Sequence, residues 1–302
     1  MNNIVNQILK LKDENDILIL AHYYVSPEIQ KISDFVGDSY YLSKIALERP
    51  EKIIVFCGVS FMGESAKILS PNKTIILPNL DSKCPMADMI SIEEIKTMRE
   101  KYSDLAVVTY INSTSEVKEY ADVCVTSSNA IKVIPNLKEK NIFFVPDRNL
   151  GNYLKEQIKD KNFILNNGFC PIHNYMNEED VLNAKKLHPK AKVISHPECT
   201  KEVLNLSDFI GSTSEIIEFA TKDPSLEFIV CTEVGVFYEL RKNNPNKEFY
   251  TVNDMQICPN MKKITLKSLY DAIKNKTNKV YLSENIILKA KDSLTRMHEL
   301  AK

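Results

Sequence analysis

Three of the seven cysteines are followed directly by proline, at Cys84–Pro85, Cys170–Pro171 and Cys258–Pro259. They lie 86 and 88 residues apart, so no two are neighbours in sequence, yet the interval is nearly constant. Three thiolates meeting on one face suit a [4Fe–4S] cluster with one iron left open, because such clusters are normally held by four cysteines. An iron without a protein ligand can act as a Lewis acid on a substrate oxygen. Zinc is the rival: His173 stands at C-x-x-H spacing from Cys170 and could complete a Cys3His site. The proline fixes its own φ, removes one backbone donor and biases the cysteine before it towards an extended conformation. Cys57, Cys124, Cys199 and Cys231 sit in or beside apolar runs and read as buried thiols. An odd number of cysteines spread through a chain of this size is no disulfide framework.

Distant cysteines can meet only if the chain repeats itself, and it does so three times. "ILILAHYY" (17–24), "LAVVTYIN" (105–112) and "AKVISHPE" (191–198) are apolar, strand-like runs, each preceded by a helix-like stretch. About ten residues further on come "SDFVGDS" (33–39), "ADVCVTS" (121–127) and "SDFIGST" (207–213). Offsets of 88 and 174 make Asp34, Asp122 and Asp208 equivalent, and likewise Ser39, Ser127 and Thr213. The runs "KIIVFCGVS", "NIFFVPDRN" and "EFIVCTEVG" align next, and a fourth strand-like run leads to each Cys-Pro.

Strands alternating with helices imply parallel sheets in βαβ order. The expected units are 1–87, 88–174 and 175–262, packed around a pseudo-threefold axis, with helices in 263–302 lying outside the repeat and packing on the exterior. Ligands of open α/β sheets bind beyond the carboxyl ends of the strands. The strand ends at His22, Tyr110 and His196, with Tyr24, Asn112 and Glu198 two residues later, should therefore face one shared cleft. Such a cleft holds general acid–base side chains of several kinds. The turns "GDS", "TSS" and "GSTS" each follow a strand and are expected to open a helix. Ser or Thr there is most often an N-cap, but helix N-termini also bind phosphate and carboxylate. Three aimed at one cleft suggest a substrate with several negative charges.

Composition narrows the classes further. A formal net charge of −1 leaves no basic field for nucleic acid or an anionic membrane. The apolar stretch "ILILA" is far too short to span a bilayer, no signal peptide or anchor is visible, and a cytoplasmic protein is expected. Neither G-x-x-x-x-G-K nor G-x-G-x-x-G occurs, and there are only 7 glycines.

Over nearly its whole length the sequence resembles the quinolinate synthase family of de novo NAD synthesis. The resemblance rests on "PEIQKISDFVGDSYYLSKIA", "CGVSFMGESAKIL", "DSKCPMADM", "INSTSEVKEYADVCVTSSNA", "PDRNLGNYL", "GFCPIH", "HPECTKEVLNLSDFIGSTSEII" and "TEVGVFYEL". It implies three homologous Rossmann-like αβα domains arranged around a pseudo-threefold axis with a central active-site cleft. It also implies the condensation of iminoaspartate with dihydroxyacetone phosphate to quinolinate, with loss of phosphate and water. Carried over position by position, Cys84, Cys170 and Cys258 would hold the [4Fe–4S] cluster. Tyr24 and Glu198 would transfer protons with His22 and His196 beside them. Tyr110, Asn112 and His173 match substrate-cleft positions, and Ser39, Ser127, Ser212 and Thr213 match those that hold phosphate and carboxylates. An L-aspartate oxidase or dehydrogenase would supply iminoaspartate. Two departures stand out: Tyr23 replaces a common asparagine, and Cys258-Pro-Asn-Met261 lacks the C-x-x-C-x-x-C run and its redox disulfide. The readings that remain beside it are another [4Fe–4S] hydro-lyase and a non-enzymatic Cys3His zinc or iron–sulfur module.

Overall fold

The computed structural model describes residues 2–302. Its first sheet contains β1 (Ile17–His22), β2 (Phe35–Gly37), β3 (Ile53–Cys57) and β4 (Thr74–Ile76). The second contains β5 (Leu105–Tyr110), β6 (Val123–Val125), β7 (Asn141–Val145) and β8 (Asn162–Leu165). The third contains β9 (Lys192–Ser195), β10 (Phe209–Ile210), β11 (Glu227–Cys231) and β12 (Glu248–Tyr250). The spatial orders are β2-β1-β3-β4, β6-β5-β7-β8 and β10-β9-β11-β12, so one topology occurs three times. All the strand pairs within these sheets are parallel. The α/β class and the repeat read from the offsets are both present.

Continuous apolar runs form these strands because helices cover both faces of each sheet. Every residue of β1 and of β5 is buried, as parallel sheets require. Alternate residues of β9 face opposite sides: Val193 packs with Cys199 and Val203, while Ile194 packs with Ile216 and Leu240. The first and second sheets share one larger core instead. Helix Glu284–Leu300 enters that core through Ala290, Leu294 and Met297, all fully buried. It packs on helix Ser60–Leu69 from the first sheet and on β6 from the second. Arg296 donates to the Asp122 carbonyl at 2.8 Å, which ties the C-terminal helix to the turn before β6.

The equivalent aspartates carry one device in three copies. The carboxylate oxygen Oδ2 of Asp34, Asp122 and Asp208 accepts the backbone N–H of Ile19, Val107 and Val193 at 2.8, 2.7 and 2.8 Å. Each aspartate's own N–H donates to the carbonyl of that same residue. A short acceptor side chain thus staples the first strand of each sheet to the turn that begins the second. These residues are structural and lie away from the strand ends where ligands bind. No helix among the described residues is long and apolar enough to cross a membrane.

Removing the staple leaves a strand N–H without its side-chain acceptor, at a cost of about 1–3 kcal/mol. Asp208→Ala should lower the unfolding free energy by that amount in chemical denaturation. A change no larger than that of a surface substitution, within about 0.5 kcal/mol, would deny the staple its role.

Candidate active site

Beyond the carboxyl ends of the strands lies a cavity of about 510 Å³ lined from all three sheets, within the usual range of roughly 300–1,000 Å³ for small-molecule sites. Thirteen of the fourteen residues singled out from the sequence line it. They are His22, Tyr24, Ser39, Cys84, Tyr110, Asn112, Ser127, Cys170, His173, His196, Glu198, Thr213 and Cys258. Ser212 is not among the lining residues. Its hydroxyl accepts the N–H of Glu215 while the Glu215 carboxylate accepts the N–H of Ser212, a capping box.

The three Cys-Pro cysteines are partly exposed to this cavity, whereas Cys57, Cys124, Cys199 and Cys231 are fully buried. Each of the three caps a short helix in the extended conformation that the following proline favours, at φ/ψ of −94/115, −78/117 and −79/105. None of the three sulfurs closes a cap hydrogen bond. Burial pushes the Cys84 thiol up to about 12, with Cys258 nearby raising it further and the N–H groups of Met86 and Ala87 opposing. Burial likewise raises Cys170, with the Glu198 charge and the Cys84 thiol raising it further. Thiols in such surroundings become ligands only when a metal group compensates the buried charge.

Two buried carboxylates aim two of these cysteines. Asp147, two residues past β7, accepts the Cys170 N–H on Oδ2 at 3.2 Å and caps Asn149 and Leu150 with Oδ1. Glu233, two residues past β11, accepts the Cys258 N–H on Oε1 at 3.0 Å and the Gly235 N–H on Oε2 at 2.6 Å. Lys262 pairs with Glu233 at 2.8 Å and donates to the Tyr24 carbonyl at 2.6 Å. The corresponding residue past β3 is Val59, so Cys84 has no such carboxylate. Sequence reasoning missed Asp147 and Glu233, although the alignment of "NIFFVPDRN" with "EFIVCTEVG" already put two carboxylates at one equivalent position.

A hydrogen-bonded chain crosses the cavity wall. Glu198 Oε2 lies 2.7 Å from His173 Nδ1, and His173 Nε2 lies 2.8 Å from Thr232 Oγ1. Thr232 Oγ1 is 2.8 Å from the Tyr24 hydroxyl, which is 2.9 Å from Thr213 Oγ1. Thr232, another residue the sequence did not betray, joins the two expected proton-transfer residues. Burial alone would raise Glu198, but His173 and His196 beside it, with a hydrogen bond from Tyr110, bring it down to about 2. Burial and the Glu198 charge push Tyr24 well above the usual phenol range. The site therefore pairs an ionised acceptor with a neutral hydroxyl donor.

The equivalent histidines are set by the same local turn. The Tyr24 N–H points at His22 Nδ1 at 3.2 Å, and the Glu198 N–H points at His196 Nδ1 at 3.3 Å. Each ring must then carry its proton on Nε2, which in His196 donates to Ser127 Oγ at 3.2 Å. Burial lowers both rings to about 3. They act as neutral N–H donors near pH 7.

The three expected helix openings are two in fact. Ser39 and Thr213 begin ten-residue helices behind the caps Asp38 and Ser212. Ser127 lies in a turn closed by Asn129, whose Oδ1 accepts the Thr126 N–H at 2.8 Å, and the four-residue helix there starts only at Ala130. Asn112 Oδ1 is buried without a hydrogen-bond partner at the cavity wall. An orphan acceptor at that place points to a donor on a bound ligand.

Residues 6–299 match the family model described as quinolinate synthetase A protein. The chain belongs to the quinolinate synthetase A family. It is 53% identical over 298 residues to the quinolinate synthase of Clostridium perfringens, covering 99% of each chain. It is 50% identical over 295 residues to that of Caldicellulosiruptor bescii, covering 98% of this chain and 97% of the relative. The quinolinate synthase of Clostridioides difficile is 49% identical over 299 residues, covering 99% of this chain and 98% of the relative. Membership makes the chain an enzyme of NAD biosynthesis, and quinolinate synthesis is the family's activity. The family uses an iron–sulfur cluster, and three thiols on one cavity are a donor set that fits one.

Against the family pattern, Tyr23 turns its ring onto the apolar core beside β9 and β11, away from the cavity lining. Its backbone does the local work: its N–H donates to the Gly37 carbonyl at 3.2 Å and its carbonyl accepts from Gln30 Nε2 at 2.8 Å. Gly235 packs against the same stretch so closely that a Cβ would stand 2.5 Å from the Tyr23 oxygen and 2.7 Å from the Tyr24 Cα. Only glycine fits there without moving Tyr24.

The depressed histidines predict an acid-sensitive fold. Unfolded, His22 and His196 take up protons as the pH drops through about 6.5; folded, they stay neutral down to about 3. The unfolded state then binds more protons, so stability falls as pH falls through this window, by at most about 1.4 kcal/mol per pH unit for each histidine. Denaturant titrations between pH 7 and pH 5 should show a shallower slope for the His22→Asn, His196→Asn double variant. An unchanged slope would mean that these rings titrate normally in the fold.

Proposed function

We propose that this chain condenses iminoaspartate with dihydroxyacetone phosphate to quinolinate, releasing phosphate and water, with a [4Fe–4S] cluster held by Cys84, Cys170 and Cys258. The observation that carries the reading is that three cysteines, each capping the short helix after the fourth strand of its sheet, line one cavity beside Tyr24, Tyr110, His196 and Glu198. A single tetrahedral ion with metal–sulfur bonds of about 2.3 Å needs its ligand atoms roughly 3.8 Å apart. Among the described residues, the three sulfurs form no group within 4.8 Å of one another. That spacing favours a cluster, whose separate irons spread the thiolates, over a Cys3His zinc site. When bound, the cluster supplies an open iron that can polarise a substrate oxygen.

The remaining residues divide the other tasks among themselves. In this reading Ser39 and Thr213, at the starts of ten-residue helices, and Ser127 in its turn take the phosphate and the carboxylates, which their positions on the cavity support. The Nε2–H groups of His22 and His196 and the Asn112 amide give neutral donors and an acceptor for the substrate body. Glu198 accepts a proton, and Tyr24 delivers one from its hydroxyl, with Tyr110 and His173 holding the carboxylate between them. Iminoaspartate hydrolyses readily, so a reaction that oxidises aspartate must supply it, by an oxidase or a dehydrogenase. Identical strand orders and identical aspartate staples support three units, 1–87, 88–174 and 175–262, around a pseudo-threefold axis with a shared central cleft, followed by the extension 263–302.

Single variants test the ligand set and the chemistry together. Cys84→Ala, Cys170→Ala and Cys258→Ala should each lose iron and sulfide under anaerobic purification, while Cys57→Ala and Cys231→Ala retain them. Glu198→Gln should keep the cluster and lose quinolinate formation by about a hundredfold or more, the usual weight of a general base. Equal behaviour of all five cysteine variants, or a fully active Glu198→Gln enzyme, would defeat the reading.

A further inference from the structure

Cys170, His173 and Glu198 are the one group of three metal-ligating side chains among the described residues whose donor atoms all lie within 4.8 Å of one another. His173 Nδ1 stands between the other two, 3.2 Å from Cys170 Sγ and 2.7 Å from Glu198 Oε2. Nδ1 carries the proton that bonds Glu198 in the metal-free chain, and Nε2, 2.8 Å from Thr232 Oγ1, can hold a proton against that oxygen once a metal takes Nδ1. An outer partner that fixes tautomer and ring orientation in this way is the usual companion of a metal-binding histidine. Glu198 and His173 are almost fully buried, and Cys170 is exposed only towards the cavity, which leaves one side open for water.

We infer that the metal-free chain binds a single zinc ion through Cys170, His173 and Glu198, and that this site competes with the assembly of the iron–sulfur cluster. A thiolate, an imidazole and a carboxylate with an open fourth position form a donor set that suits zinc. Tetrahedral bonds of about 2.0–2.3 Å need donors roughly 3.3–3.6 Å apart. The ion takes the place of the hydrogen-bonding proton, and the two contacts open by about half an ångström. On binding, the His173 proton moves from Nδ1 to Nε2, where Thr232 Oγ1 accepts it, the Cys170 thiol releases its proton to solvent, and the nitrogen and sulfur lone pairs go to the metal. Zinc binds such sites more tightly than ferrous iron in the general order of divalent metals. Because Cys170 cannot serve both groups, a zinc-loaded chain is closed to the cluster. Neither Cys84 nor Cys258 takes part. The site therefore differs from the Cys3His arrangement that the C-x-x-H spacing suggests.

The test is a cobalt(II) and zinc(II) titration of the full chain, freed of metal by anaerobic chelation. Wild type should bind one equivalent, with a thiolate-to-cobalt absorption band that zinc abolishes. The Cys84→Ser, Cys258→Ser double variant should bind equally well. His173→Gln and Glu198→Gln should weaken binding by more than about tenfold, the loss that even an outer-shell change can cause. Circular dichroism establishes that each variant is folded. Should the double variant fail to fold, Cys84→Ser and Cys258→Ser taken singly decide the same point. Zinc added before iron and sulfide should block reconstitution. Absence of a band in wild type, dependence on Cys84 or Cys258, or indifference to His173 and Glu198 would each overturn the inference. None of these readouts requires quinolinate formation, so the zinc site stands or falls apart from the synthase reading, and only its competition with the cluster rests on the proposal that Cys170 is a cluster ligand.

Discussion

A carboxylate taken out of water is costly unless charges and donors compensate it, by several kcal/mol for an isolated ion. Glu198, 3% exposed, sets that demand here. It is met by His173 at 2.7 Å and by a hydrogen bond from Tyr110. His173 belongs to the helix that Cys170 caps, Tyr110 ends β5, and Glu198 itself follows β9. One buried charge therefore requires the second and third sheets to meet. Thr232 continues the contact to Tyr24 and so to the first sheet. The cavity is the place where these obligations are met together.

Repetition explains how residues far apart in sequence reach it. The three copies keep the backbone devices and differ in the side chains that line the cavity. Gln30 donates to the carbonyls of Val25 and Tyr23 at 2.9 and 2.8 Å, pinning the turn behind Tyr24. The buried Lys118, at the corresponding position, donates to the Ser113 carbonyl behind Asn112. The third copy has Leu204 there, packed in an apolar core. His22 and His196 keep one turn geometry, whereas the second copy has Tyr110 and Asn112. A repeated scaffold permits such divergence because Asp34, Asp122 and Asp208 are not among the residues that line the cavity.

Much of this is legible in the amino-acid sequence. Offsets of 88 and 174 locate the aspartates and the strand ends, and 174 links Cys84 to Cys258 while Cys170 sits two residues early, because each is a local feature of one repeated unit. What stays hidden there depends on contacts between copies. Thr232 looks like any residue past a buried strand until Tyr24 and His173 converge on it. Asp147 and Glu233 each cap the helix that follows with one oxygen, and their second oxygen shows its use only once the Cys170 and Cys258 loops return. The helix after β6 starts later than the sequence suggests, because Ser127 is a credible cap while the turn is in fact closed by Asn129. Ser212 illustrates the reverse: S-x-x-E is a capping signature, and the structure employs it as one.

The convergence of Cys84, Cys170 and Cys258 on one iron–sulfur group is tested most directly by iron and acid-labile sulfide analysis with a visible spectrum. The measurement is made on protein purified anaerobically and reconstituted with iron and sulfide. Three-cysteine ligation predicts a brown protein with about four irons and as many sulfides per chain, bleaching in air. A colourless protein that retains no iron after reconstitution would contradict it.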